Sequence, residues 1–224
     1  MLDKEKVAIF DFCETIVPFQ SASAFVGFVA RKHASLKQRI RWVLFKLLRW
    51  ARITKKLDCL SKGKITEKTL SLWVIKGLTY DALDVASRIF YEKVLRPAFI
   101  PEVIQELERR KADGYRIVVA SGGYGIYLRF FAKEFGIAEN DILSSNLEFV
   151  NQVFSGRMTG LDCMRNNKLL LIEKLLVREQ TYCVAYSDSE SDLPLLTWVD
   201  EGYVVKKNPS WISQNKLKVF SWAG

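Results

Sequence analysis

The sequence predicts an α/β protein, a doubly wound and mostly parallel sheet with a long helical insertion after its first strand. Three observations predict it. After Pro101, short apolar runs alternate with segments of helical period. From Ser21 to Leu95 the pattern is almost wholly helical, with few prolines or glycines. A single apolar run, Val7-Ala-Ile-Phe10, precedes that block and ends at Asp11.

Residues 6–10 read as a buried strand, because a short apolar run bounded by a carboxylate suits a central position. Within the helical block, residues 61–66 (Ser-Lys-Gly-Lys-Ile-Thr) read as a turn, and Thr66-x-x-Thr69 can start the next helix. Pro97 and Pro101 punctuate the chain. Residues 102–111 then read as a helix closed by Gly114, 116–120 as a strand and 124–135 as a helix. Residues 141–146 read as a short strand, and 147–160 as a hairpin turning at Asn151-Gln152. Residues 168–177 read as a helix, 181–186 as a strand, 192–198 as a helix and 202–205 as a final strand.

The chain has 224 residues, which at about 100–200 residues per domain suggests one domain, or one domain with an insertion. With 49% hydrophobic and 26% charged residues it is neither a disordered tail, a collagen-like chain nor a coiled coil. No uncharged apolar run is long enough for a transmembrane helix, and a secretory signal is not expected from residues 1–10. Cys13, Cys59, Cys163 and Cys183 form no CxxC pair, so a reduced, cytoplasmic location is expected. Cys59, Cys163 and Cys183 are expected to be packing residues, and His33, the one histidine, a surface residue.

The net charge of +9 is local. Ten cations and no acid lie between Arg31 and Lys56, and the remaining chain has 24 cations against 25 acids. That segment reads as a basic helix over residues 36–56. Leu36, Ile40, Val43, Leu44, Leu47 and Ala51 share a face, and most cations fall on the other, with Trp42, Phe45 and Ile53 among them. The preferred expectation is that the apolar face packs on its own domain and the cations form a collar attracting an anionic substrate. Weak peripheral contact with an anionic membrane is the minor expectation. Nucleic acid is not expected, since one basic helix without a binding module is poor grounds for it.

In doubly wound sheets chemistry collects at the carboxyl ends of the strands. The first strand is followed by Asp11-Phe-Cys-Glu-Thr15, the second by Ser121-Gly-Gly123, and the strand at 181–186 by Ser187-Asp-Ser-Glu-Ser-Asp192. Lys168 opens the helix before that last strand. A carboxylate, a hydroxyl beside backbone amides, a carboxylate pair and a lysine are the parts that hold a phosphoryl group.

With these four motifs in this order, the chain resembles the haloacid dehalogenase superfamily, in its phosphoserine-phosphatase-like branch. The resemblance covers residue 7 to about residue 205. It implies a Rossmann-like core of residues 1–20 and 97–224 with a helical cap of residues 21–96. It implies a Mg²⁺-dependent phosphatase acting on a small phosphate monoester through an aspartyl-phosphate. Asp11 would be the nucleophile. Asp11, Cys13 through its backbone carbonyl, and Asp188 would hold the Mg²⁺, an oxygen-rich set that suits a hard cation. Asp192 would complete that metal site from behind and orient Lys168. Ser121 and the Gly122 amide would hold the phosphoryl oxygens while Lys168 neutralises charge.

Three positions depart from the family pattern. The family phosphatases have a second Asp, the proton donor and later the base, where this chain has Cys13; a thiol of pKa about 8.5 can donate a proton but is a poor base. Glu14 or a substrate group is the alternative for that proton work. Phosphonate hydrolases and dehalogenases also lack this Asp, so the reaction class is less constrained than the fold. The family Glu that reads the amino group of serine is matched best by the neutral Gln20, which argues against phosphoserine, while the cap's cations suggest a larger or more anionic ester. Ser187 replaces a usual Gly. A phosphorylated lipid or lipid precursor is the rival substrate. A phosphate-binding homologue with impaired catalysis is the rival function.

Overall fold

The computed structural model describes residues 4–32, 35–61, 66–205, 211–215 and 217–220. Strand β1 (Glu5–Phe10) is followed by five helices: α1 (Ser21–Lys32), α2 (Leu36–Trp50), α3 (Ile53–Leu60), α4 (Glu67–Ile75) and α5 (Tyr80–Phe90). A π-helical turn, Tyr91–Leu95, and a 3-10 turn, Arg96–Ala98, return the chain to the sheet. There follow α6 (Pro101–Ala112), β2 (Arg116–Tyr124), α7 (Gly125–Phe135), β3 (Ile142–Val150), β4 (Val153–Thr159), α8 (Asn166–Leu175), β5 (Thr181–Ser187), α9 (Leu193–Trp198), β6 (Glu201–Val204), α10 (Trp211–Gln214) and β7 (Lys218–Val219).

The seven strands form one sheet in the order β4-β3-β2-β1-β5-β6-β7, parallel throughout except for the β3–β4 hairpin. The expected doubly wound α/β class is the observed one. Alternate residues of β1 feed two cores: Ala8 and Phe10 join the cluster containing the aromatics of α1, α5 and α7, while Val7 and Ile9 join Ile172, Leu195 and Leu196 on the other face. Phe10, Tyr186 and Tyr203 stack in a row across β1, β5 and β6, with ring centroids 4.5 and 4.8 Å apart. Phe25 of α1 packs on Phe90 of α5, Tyr124 of β2 and Tyr127 of α7, so the helical block and the sheet share apolar packing.

Local chemistry explains the main boundaries. Thr66 and Thr79 cap α4 and α5 by accepting from the amides of Thr69 and Ala82. Pro101 occupies the first turn of α6, where its missing N–H costs nothing. Asn151 and Gln152 both adopt the left-handed region (φ 48° and 62°), which the two-residue turn between β3 and β4 requires. Backbone hydrogen bonds Gly77 N to Phe154 O (3.0 Å), Phe154 N to Leu78 O (2.8 Å) and Tyr80 N to Gln152 O (2.8 Å) tie the helical block to this hairpin.

Several expectations are corrected. The segment at 141–146 and the outgoing arm of the hairpin are one strand, β3. Strand β2 does not stop at Ala120 but continues to Tyr124, with a bulge that leaves Gly122 and Gly123 between the pairs Ser121–Ser144 and Tyr124–Ser145. The basic helix at 36–56 breaks at Arg52 (φ 57°) into α2 and α3. Its apolar face does not pack on the domain. At about 100° per residue, Gln38, Trp42 and Phe45 form the inward face of α2, and Leu36, Ile40, Val43 and Leu47 point the opposite way. Phe45 is 2% exposed and Leu47 55%. Arg41, on the packed side, donates to the carbonyls of Trp73 (3.3 Å) and Lys76 (3.0 Å) and stacks on the Trp73 ring. Cys59 is exposed rather than packed, whereas Cys163 and Cys183 are buried. His33 and the centre of the turn expected at 61–66 lie outside the described residues. Among the described residues, no helix is long and apolar enough to cross a membrane.

Candidate active site

Asp11 follows β1, Gly122 lies in the bulge of β2, and Asp188 follows β5, so the parallel sheet itself brings these residues to one edge. They line a cavity of about 210 Å³ together with Cys13, Gln20, Lys168 and Asp192. Ser121 and Glu14, also expected here, are not on its wall. The fully buried Ser121 hydroxyl accepts from the Gly123 amide at 2.9 Å and lies 3.8 Å from the Cys13 Sγ. Glu14 accepts from the Gln20 side-chain amide at 2.7 Å.

Lys168 is the centre of the charge arrangement. Its Nζ lies 3.0 Å from Asp11 Oδ1 and 2.5 Å from Asp192 Oδ2, with all three side chains buried. Asp192 also accepts from Ser187 Oγ at 2.6 Å, so the serine that replaces the usual glycine directs its hydroxyl at this carboxylate. Thr15 fixes Asp188: its hydroxyl donates to Asp188 Oδ1 (3.3 Å) and accepts from the Asp188 amide (3.1 Å). Burial pushes the Asp11 carboxyl up to about 7. Lys168 pulls it down, but Asp192 and Asp188 repel its charge and reinforce the rise. Burial opposes the charge on Lys168, yet Asp11 and Asp192 outweigh it and hold the ammonium above its usual range.

Cys13 is 7% exposed. Its Sγ lies 3.0 Å from Ser21 Oγ, which in turn lies 2.7 Å from Tyr127 Oη. Burial and then the charge of Asp11 push the thiol pKa up, against its hydrogen bonding with Ser21. The thiol is therefore a proton donor and not a base at neutral pH.

The charged wall extends beyond the residues expected from sequence. Lys68 of α4 lines the cavity and donates to Gly122 O (2.6 Å), Ser145 Oγ (2.8 Å) and Asp162 Oδ1 (2.5 Å). Its pKa is lowered, because burial outweighs the attraction of Asp162. Arg165 lies on the same wall. No motif marks Lys68, since a lysine in the first turn of a helix is ordinarily a solvated charge. Gly122 has a steric reason to be glycine: a Cβ there would come within 2.6 Å of Met164 Cγ.

The haloacid dehalogenase-like hydrolase family model matches residues 8–197, which span every strand-end residue above. The chain belongs to the haloacid dehalogenase-like hydrolases. Solved structures share this fold at low identity. A protein of unknown function from Bordetella pertussis is 19% identical, with a TM-score of 0.77 and coverage of 97% of this chain and 98% of that one. A phospho-aspartyl intermediate analogue of phosphoserine phosphatase is 17% identical, with a TM-score of 0.61 and coverage of 96% and 92%. A phosphoserine phosphohydrolase-like protein from Francisella tularensis is 15% identical, with a TM-score of 0.62 and coverage of 96% and 94%. No curated protein matches the chain. The fold is thus that of the phosphoserine-phosphatase-like haloacid dehalogenases.

The donor chemistry of the hydrolase site fits Mg²⁺ in part. Lys168 lies between Asp11 and Asp192, and Asp11 and Asp188 share the cavity wall, so a divalent cation beside those two carboxylates would offset their charge. Its donors are oxygens, as a hard cation prefers. Among the described residues, however, no three acidic, histidine or cysteine side chains gather into a metal centre. Two carboxylates, Asp11 and Asp188, would need backbone carbonyls and water to complete the shell, which is how Mg²⁺ is usually held.

Proposed function

We propose that this hydrolase is a Mg²⁺-dependent phosphatase that cleaves a small phosphate monoester through an aspartyl-phosphate on Asp11. The observation that carries the reading is Lys168 held between Asp11 and Asp192 at 3.0 and 2.5 Å on the wall of the strand-end cavity. Lys168 holds the Asp11 carboxylate in place and draws the phosphoryl group by charge. The Asp11 oxygen forms a bond to phosphorus as the ester P–O bond breaks. Cys13, a neutral thiol on the cavity wall, would give its proton to the departing oxygen. Water then displaces Asp11 from phosphorus, releasing phosphate. Mg²⁺, held by Asp11, Asp188 and the Cys13 carbonyl, would supply charge neutralisation between carboxylate and phosphoryl oxygens. Asp192 positions Lys168, and residues 21–96 act as the cap, with Lys68 contributing a second cation. The neutral Gln20 amide on the wall, already donating to Glu14, is a weak reader of an ammonium and disfavours phosphoserine, while Lys68 and Arg165 on the same wall favour a more anionic or larger ester.

The test is phosphate release from p-nitrophenyl phosphate and a panel of phosphorylated metabolites, with and without Mg²⁺. Turnover that needs Mg²⁺ and falls by at least about 10³-fold in Asp11→Asn supports the reading. Unchanged turnover in Asp11→Asn, or in excess chelator, overturns it. One observation favours a second reading, a phosphate-binding protein with little turnover: the raised pKa of the buried Cys13 thiol leaves the second step without a base. Saturable phosphate binding without ester cleavage would select it.

A further inference from the structure

Among the described residues, the outward face of α2 and α3 is a large apolar surface that the proposed chemistry does not use. Leu36, Ile40, Val43, Leu44, Leu47 and Trp50 are all exposed, Trp50 by 85%. Beside them a groove of about 370 Å³ runs between α2 and α3, with Leu48, Ile53 and Trp73 among its walls. Contiguous exposed apolar surface of this kind marks an interaction site.

The charges around it identify the partner. On the wheel of α2, Arg39 and Lys46 flank the apolar stripe on one side and Lys37 on the other, and all three are exposed. Arg52 and Lys56 extend the basic border into α3. No acid occurs between residues 31 and 56. A second copy of the chain is a poor occupant, because face-to-face pairing would set these cations against each other. A surface that is apolar inside and anionic at its edge satisfies both features. We propose that α2 and α3 dock on an anionic lipid bilayer, with the leucine and tryptophan side chains in the acyl boundary and the flanking cations at the headgroups.

Neither helix spans the membrane. The docking would be peripheral and in the plane of the interface. Phe45, on the inward side of the same helix, lines the strand-end cavity. A docked protein would therefore hold that cavity about one helix diameter, roughly 10 Å, from the lipid surface. The inference concerns binding alone and is independent of whether the site turns over phosphate esters.

The experiment is sedimentation of the full chain with vesicles of phosphatidylcholine containing phosphatidylglycerol, against pure phosphatidylcholine. Two variants probe the apolar stripe, Ile40→Glu and Leu47→Glu. A third, Arg39→Glu with Lys46→Glu, probes the border. All four positions are exposed, and unchanged circular dichroism melting confirms folding. Binding to anionic vesicles that exceeds binding to neutral ones, weakens with salt and drops roughly tenfold or more in each variant is expected. No binding of the wild-type chain to anionic vesicles overturns the proposal. So does full binding by Leu47→Glu, which would reduce the effect to surface charge. A wild-type dimer in light scattering that Leu47→Glu splits, without vesicle binding, would give the face to a second copy and overturn it too.

Discussion

The strand-end site and the α2–α3 pair treat charged and apolar groups in opposite ways. At the strand ends, Asp11, Asp192 and Lys168 are buried and paired. In α2, Lys37, Arg39 and Lys46 are exposed and border an apolar stripe that faces outward. The difference follows from how each region is attached. A residue after a central parallel strand has its position set by the ladders that hold that strand: β1 pairs with β2 and β5 as far as Phe10, and the Asp11 amide donates to Tyr186 O at 2.9 Å. A helix held by one narrow face can bury either of two apolar stripes. Packing of Trp42 and Phe45 decided between them here.

The largest effect that would test this contrast is at Lys168. Lys168→Met removes the ammonium and leaves Asp11 and Asp192 buried without their cation. Loss of one partner from a buried ion pair typically costs about 3–5 kcal/mol. The lower end is expected, because Asp11, with its pKa raised by burial, can take up a proton. Urea unfolding at neutral pH would measure it. A loss below about 1 kcal/mol would mean that the strand-end charges are as solvated as those of α2. Phosphatase turnover, if present, should fall at least about 10³-fold in the same variant.

The next test compares two positions on one helix. Phe45→Ala should cost about 3 kcal/mol, as for a large buried aromatic. Leu47→Ala, two residues on and half exposed, should change stability by less than about 0.5 kcal/mol. Thermal melts of the two variants side by side give the answer. Equal losses would show that α2 buries both faces, and the contrast between the regions would collapse.

These comparisons also show what the sequence made legible. The strand ends could be read because a short apolar run followed by a carboxylate or hydroxyl has one plausible place in a parallel sheet. Thus Asp11, Lys168, Asp188 and Asp192 line one cavity. The β3–β4 turn could be read at Asn151-Gln152. The orientation of α2 could not, since amphipathic periodicity reports that an apolar face exists and not what covers it. Its inward stripe consists of Gln38, Arg41, Trp42 and Phe45, which looks polar until Arg41 is seen stacked on Trp73. Lys68 was hidden for a similar reason: its role depends on Gly122, Ser145 and Asp162, all distant in sequence. The continuation of β2 through Gly122 and Gly123 was masked by residues that favour turns.

Cys13 tests whether the buried region is tuned for turnover. Cys13→Asp adds a carboxylate beside Asp11, in place of a thiol whose pKa burial has pushed up. If the thiol is a handicap, steady turnover on p-nitrophenyl phosphate should rise roughly 100-fold, the size of a restored acid–base group. Wild-type enzyme should then also show a burst of leaving group, because hydrolysis of the proposed aspartyl-phosphate would be the slow step, and the variant should not. The cost is another buried carboxylate beside Asp11, so the variant should be less stable than wild type in the absence of Mg²⁺. A wild-type enzyme faster than the variant on alkyl phosphates would show that the thiol suits its substrate.

The smallest effect concerns the hinge between α2 and α3. Arg52 adopts a left-handed conformation (φ 57°, ψ 16°) with neither glycine nor asparagine to make it easy. Uninterrupted helix over residues 36–56 is what its side chains alone suggest, so the kink is where the exposed region departs most from local preference. Left-handed backbone costs a residue with a Cβ roughly 1 kcal/mol. It costs a β-branched residue more, and asparagine less. Glycine gains the relief but loses about as much through the freedom of its unfolded chain. Melting temperatures should therefore rank Arg52→Asn at or slightly above wild type, Arg52→Gly close to it, and Arg52→Val lowest, over a span of about 1–2 kcal/mol. Arg52→Val as stable as wild type would mean that the chain runs through as one helix. The groove between α2 and α3 would then vanish, leaving only the stripe on α2 to set this region apart from the strand-end site.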